Sequence, residues 1–129
     1  MSIVVGYSAD DYGRAALAHG VEAAREKNER LLVVNASTGQ SLVDKRFAHD
    51  DEIAALTASL ADSGLEVEVR HDVVPDVADA LVSIAAEEKA RLVVVGIRRR
   101  TPVGKLIMGS VAQRVILEAP CPVLAVKPD

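Results

Sequence analysis

A chain of 129 residues, half of them hydrophobic, is long enough for one domain with a substantial core and too apolar for a disordered or fibrous chain. A formal net charge of −4 argues against nucleic acid as the main partner, and a single cysteine, Cys121, excludes an intrachain disulfide framework or a cysteine metal cluster. Aromatic residues are 2% (Tyr7, Tyr12 and Phe47), so the core is built from Val, Leu, Ile and Ala, as when helices layer on a parallel sheet. The N-terminus lacks a basic region followed by a long apolar run, and no stretch approaches the ~20 apolar residues that span a bilayer. A soluble, cytoplasmic protein is the expectation.

In chain order, Ser2–Tyr7 reads as a buried strand, and Ser8-Ala9-Asp10-Asp11 as a polar turn in which Ser8, Asp10 or Asp11 caps a helix. Tyr12–Asn28 is helical, with Leu17, Val21 and Ala24 at i, i+4 and i+7 as its core stripe. Arg30–Ala36 is a second apolar strand, and Ser37–Asp50, rich in Ser, Gly, Gln and charge, a surface loop. Asp50–Asp62 is a second helix on Ile53, Leu56 and Leu60, stopped by Ser63-Gly64. Leu65–Arg70 alternates strictly, with Leu65, Val67 and Val69 on one side and Glu66, Glu68 and Arg70 on the other, which predicts a strand with one wet face at a sheet edge. Pro75 begins a third helix on Val77, Leu81, Ile84 and Ala85. Leu92–Val95 is a strand buried on both faces, Ser110–Ala119 a helix whose Ala112, Val115, Ile116 and Ala119 point inward, and Pro122–Val126 a last strand whose leading proline suits an edge.

The order βαβαβαβαβ, without repeat or linker, defines a single α/β domain: a doubly wound five-stranded parallel sheet with helices on both faces. Ligands of such sheets bind beyond the carboxyl ends of the strands, where the strand order reverses. Ser8 and Gly96, at the ends of the first and fourth strands, flank that crevice if the reversal falls between them.

The segment from Leu92 to Val111 carries the chemistry. A strand stops at Gly96, a basic loop with Arg98, Arg99, Arg100 and Lys105 follows, and Gly109-Ser110 opens a helix. A helix start presents unpaired N–H groups and partial positive charge, which suits phosphate. Alone, Gly96 reads as a strand terminator and Gly109 as a helix start, and their spacing with Ser110 is what points to a phosphate loop; the arginine run reads either as a solvated face or as a phosphate contact. His19, His49 and His71 lack ligand spacing, and Cys121, between prolines, reads as an inert buried thiol. A phosphoacceptor receiver domain competes through Asp10-Asp11, Asp72 and Lys127. It requires an apolar third strand, which Leu65–Arg70 is not, and leaves Gly96, Gly109 and Ser110 without a role.

Over nearly its whole length the chain resembles the universal stress protein family, most clearly in Leu92–Gly96, Gly104–Val115 and Ala119–Pro128. That family's signature is Gly, two residues, Gly, nine residues, Gly, then Ser or Thr; Gly96, Gly109 and Ser110 match in register and Arg99 stands at the second glycine. Where ATP-binding members carry Asp after the first strand, this chain carries Ser8, whose hydroxyl can hydrogen-bond a ribose. The resemblance implies a Rossmann-like fold of the adenine nucleotide alpha-hydrolase type and a stress-response protein binding ATP or an AMP-like adenine nucleotide, with Mg²⁺. The nucleotide site would comprise Ser8, Ala36, Gly96, Arg98, Arg99, Gly109, Ser110 and Val111, with Ala36 near the adenine and Arg99 reaching a phosphate. It implies no strong catalyst, at most slow ATP hydrolysis, and a homodimer through the edge strand Pro122–Val126, with further protein partners and neither nucleic acid nor membrane. The competing reading is a protein-interaction module of the same fold and dimer, its site closed by Arg99.

Overall fold

The computed structural model describes residues 1–37, 50–97 and 110–128. Its elements are β1 (Ser2–Gly6), α1 (Asp11–Lys27), β2 (Arg30–Ser37), α2 (Asp50–Ala61), β3 (Val67–Val73), α3 (Val77–Glu87), β4 (Ala90–Gly96), α4 (Ser110–Glu118) and β5 (Val123–Val126). Among the described residues the strands form one parallel sheet in the order β3-β2-β1-β4-β5. The chain builds outward from β1 to one edge, then crosses back to β4 and β5, so the order reverses between β1 and β4. The doubly wound architecture expected from the element order is the one observed.

Unbroken β-branched runs occupy the centre because both faces there are covered. Ile3, Val4 and Val5 of β1 and Val93 and Val94 of β4 are fully buried. Alternation divides them between two cores. Val4, Leu32, Val34, Val93 and Val95 pack with Ala78, Leu81 and Ala85 of α3 and Ala112 and Val115 of α4. Ile3, Val5, Leu31, Val33 and Val94 pack with Ala16, Ala23 and Ala24 of α1 and Leu60 of α2.

The contact face of α1 differs from the expected Leu17–Val21–Ala24 stripe. Its buried residues are Gly13, Ala16, Gly20, Ala23 and Ala24, while Leu17 and Val21 are only partly covered. The helix lies too near the sheet for large side chains: a Cβ on Gly20 would stand 2.2 Å from Val5 Cγ2. Asp10 is the cap, its carboxylate accepting from the Gly13 N–H at 2.9 Å.

Four further boundaries shift for identifiable reasons. β3 runs over Val67–Val73 rather than Leu65–Arg70, since its partner β2 extends to Ser37 and the register holds from Leu31↔Val67 to Ser37↔Val73. Leu65 belongs to the turn after α2, where Gly64 takes φ +79° and the Ser63 hydroxyl and N–H both donate to the Leu60 carbonyl. α3 begins after Pro75, because Asp76 is its cap and accepts from the Asp79 N–H at 2.9 Å. β5 begins at Val123 rather than Pro122, whose carbonyl accepts from the Val93 N–H at 3.1 Å. In α4, Ala112 and Val115 are buried as expected, but Ile116 is 38% exposed, and Ala119 lies past the helix, partly buried. The half-charged β3 does lie at an edge, and β5 forms the other.

Glu88 staples the β2–β3 side to the end of α3. Its carboxylate accepts from Arg30 of β2 and, at 2.6 Å, from Arg70 of β3, while its backbone carbonyl accepts from the Ser2 hydroxyl at 3.0 Å. The Arg70 hydrogen bond leads in holding the Glu88 carboxyl below its ordinary value of 4.5. A lowered folded value means that this stabilisation is present above the unfolded value and is lost as pH falls through the folded one. The next residue, Lys89, turns the chain into β4 with φ +51°, a left-handed conformation that a side chain opposes. Lys89→Gly is therefore expected to raise the unfolding free energy by ~0.5–1 kcal/mol, since the relief of the native conformation exceeds the added freedom of the unfolded chain. Urea denaturation measures it; a lower stability would show that Lys89 is not strained.

Candidate functional site

The strand order reverses between β1 and β4, and sheets of this kind receive ligands beyond the carboxyl ends of the strands at such a place, here the ends of β1, β2 and β4. The end of β1 is pinned from its neighbour: the Tyr7 N–H donates to the Val34 carbonyl at 2.8 Å, and the Tyr7 carbonyl accepts from Asn35 Nδ2 at 2.9 Å. Asn35 is 1% exposed, a buried amide in an apolar strand that holds the backbone leading into Ser8. The Tyr7 ring packs on the α1/α2 side, and burial pushes its phenol above the ordinary value, outweighing the opposing charge of Arg14.

Ser8 lies just beyond β1, as the sequence suggested, and its hydroxyl donates to Asp10 Oδ1 at 2.7 Å. That same oxygen caps α1 through Gly13, so one carboxylate orients both the helix start and the serine. With its proton committed to Asp10, the Ser8 oxygen offers lone pairs outward. Ala36 stands in β2 opposite Asp72 of β3 and packs against the α3/α4 core. The following residue, Ser37, is 3% exposed, and its carbonyl accepts from the Val74 N–H at 2.7 Å.

Gly96 ends β4 opposite Val126, and beyond it the Ile97 N–H continues the ladder to the Val126 carbonyl at 2.8 Å. A Cβ on Gly96 would come within 2.5 Å of the Tyr12 carbonyl oxygen. The glycine therefore admits the first turn of α1, a packing duty distinct from the close ligand approach that its place in the sequence suggested. Gly13 is tighter still, since a Cβ there would stand 1.8 Å from the Ser8 carbonyl oxygen. Ser110 is exposed as the first residue of α4, and Val111 is half-buried against the α3/α4 core. Arg98, Arg99, Arg100, Lys105 and Gly109 lie outside the described residues.

The fold thus brings Ser8, Ala36 and Gly96 to one edge of the sheet. Asp10, one of the three caps the sequence offered, supports them together with Gly13 and Asn35, which escaped the sequence reading. An Asn inside an apolar strand and a Gly three residues after a capping Asp were the available signals. His71 approaches Asp50, Nδ1 to Oδ1 at 3.6 Å, and among the described residues no three of His, Cys, Asp and Glu gather as metal ligands. Cys121 is half-buried and burial pushes its thiol up, in keeping with an unreactive side chain. Among the described residues no helix is long and apolar enough to cross a membrane.

The described strand ends carry short hydroxyl and apolar side chains, Ser8, Ala36 and Ser37, and α4 starts exposed at Ser110. Architecture and site together define a Rossmann-like α/β protein with its switch point between β1 and β4. The model of the universal stress protein family matches residues 1–127. A universal stress protein of Mycolicibacterium smegmatis is 52% identical over 98% of this chain and 97% of its own length. Among solved structures, the universal stress protein of Archaeoglobus fulgidus in complex with dAMP is 27% identical with a TM-score of 0.64, covering 98% of this chain and 96% of that one. Another universal stress protein, in complex with cAMP, is 29% identical with a TM-score of 0.70, covering 100% and 98%. The chain belongs to the universal stress protein family.

Gly96→Ala and Gly13→Ala are each expected to destabilise the ligand-free protein by at least ~1–3 kcal/mol, the range for overpacking, because the added carbon meets backbone rather than a movable side chain. Thermal unfolding without nucleotide checks this; an unchanged midpoint would mean that the start of α1 swings aside freely.

Proposed function

We propose that this protein binds an adenine nucleotide, ATP or an AMP-like relative, at the crevice between β1 and β4. The observation that carries this reading is the reversal of strand order between those two strands, where β4 leads through the basic segment into the exposed start of α4. The dAMP and cAMP complexes of relatives support the class of ligand. Ser8 and Ala36 would receive the nucleoside, and Gly109, Ser110 and Val111, with Arg98 and Arg99, the phosphates and any Mg²⁺ they carry. Arg99 replaces the signature's second glycine with a guanidinium able to form charge-assisted hydrogen bonds to phosphate. The role is that of a cytoplasmic stress-response binding protein whose surface responds to occupancy, with ATP hydrolysis slow at most. Calorimetric titration with ATP and Mg²⁺ is expected to give one site per chain, lost in a folded Gly109→Val variant. Absence of heat from the natural chain would favour the interaction module closed by Arg99.

The second part of the proposal is a two-fold homodimer through β5. Among the described residues β5 is an edge strand whose outer N–H and C=O groups have no neighbour within the sheet, and Leu124 on it is 40% exposed. Leu117, on the helix before it, is 76% exposed. A second copy fits such a surface, because one strand meeting its own copy closes after two chains. Equilibrium sedimentation is expected to show a dimer at micromolar concentration and a shift toward monomer in Leu124→Lys; a natural chain that sediments as a monomer would remove this part of the proposal.

A further inference from the structure

α4 carries the exposed end of the proposed phosphate site. Among the described residues its buried side chains are Ala112 and Val115, with Val111 half-buried beside them, a short seam on a nine-residue helix. Such a seam resists lifting the helix from the sheet more than it resists rolling or sliding. What opposes those motions is Arg114, one turn beyond Ser110. Its Nη1 donates to Asp76 Oδ2 at 2.7 Å, its Nη2 to Asp79 Oδ1, and its Nε to Glu118 Oε2 at 3.2 Å. The two contacts to α3 come from different nitrogens of one rigid plane and end on different residues, so they fix rotation as well as distance.

The receiving carboxylate is itself held. Asp76 caps α3, with Oδ1 accepting from the Asp79 N–H while Oδ2 takes the guanidinium. α3 in turn is seated by Ala78, Leu81 and Ala85 in the core. We propose that Arg114 is a positioning residue for the nucleotide site: by clamping α4 to the capped start of α3, it fixes where the first turn of α4 stands and so sets the affinity for the phosphate portion of the ligand. This rests on the nucleotide reading above. The Asp79 N–H and Arg114 hold the Asp76 carboxyl below the usual carboxylate range, and the two aspartates hold the guanidinium up, so the clamp stays charged at neutral pH.

Charge and geometry predict opposite signs here, which makes the inference testable. Arg114 faces three carboxylates, Asp76, Asp79 and Glu118. By Coulomb attraction alone, removing one carboxylate would tighten binding of an anion. If the clamp positions α4, the same removal weakens it. The experiment titrates ATP with Mg²⁺, and separately adenosine, into the natural chain and into Asp79→Asn, Arg114→Lys and Asp79→Asn/Arg114→Lys.

ATP affinity is expected to fall ~3–10-fold in Asp79→Asn, in the range for coupled neighbouring groups, with adenosine affinity unchanged. Arg114→Lys, which keeps the charge but not the fork, is expected to show a similar loss, and the double variant to be no worse than either single one. Retained adenosine binding reports an intact fold and nucleoside site. Tighter or unchanged ATP binding in Asp79→Asn, beside a natural chain that binds ATP, overturns the clamp and leaves the nucleotide reading standing; so does a parallel loss of adenosine. A natural chain that takes up no ATP overturns both.

Discussion

The closeness of α1 to the middle of the sheet is the constraint from which the rest of the arrangement follows. The fully buried face of the helix is glycine and alanine, and at three points, Gly13, Gly20 and Gly96, a single added carbon would collide with backbone or with a buried valine. Because α1 approaches so nearly, its first turn reaches the end of β4, and the polar turn before it folds over the end of β1. The two strands that flank the reversal are thereby locked to each other through a helix start, in addition to their shared hydrogen bonds. Whatever enters the crevice meets a rim whose backbone is already set.

Much of this was legible beforehand. The central strands announce themselves as uninterrupted Val, Leu and Ile, and β3 by its alternating charges, because burial on two faces and on one face leave different periods. The contact face of α1 was not legible in the same way. Large apolar residues at helical spacing mark the side of a helix that faces protein, but at the closest approach the rule inverts and the smallest residues mark it, so Leu17 and Val21 lie at the margin of a seam made by Gly13, Ala16 and Gly20. The starts of α3 and β5 shifted for a related reason: Pro75 and Pro122 are visible punctuation, while the groups that define the starts are the Asp76 carboxylate and the register with the neighbouring strand.

At the site, position was more legible than duty. Ser8, Ala36 and Gly96 could be placed at strand ends from hydrophobic runs alone. That Ser8 gives its proton to Asp10, and that Gly96 makes room for Tyr12, depend on how two segments pass each other in three dimensions. The Arg114 cluster was hidden for the same reason, since its partners on α3 stand 38 and 35 residues away along the chain.

The two borders of the sheet are unlike in a way that bears on how copies of the chain meet. β3 lines its border with Glu68, Arg70 and Asp72 and is seven residues long, whereas β5 is four residues of Val, Leu and Ala. A sheet with two welcoming borders is a template for open-ended fibres, growing by one chain at either side. Here the charges along β3 disfavour strand addition at one border, and β5 is the uncharged one.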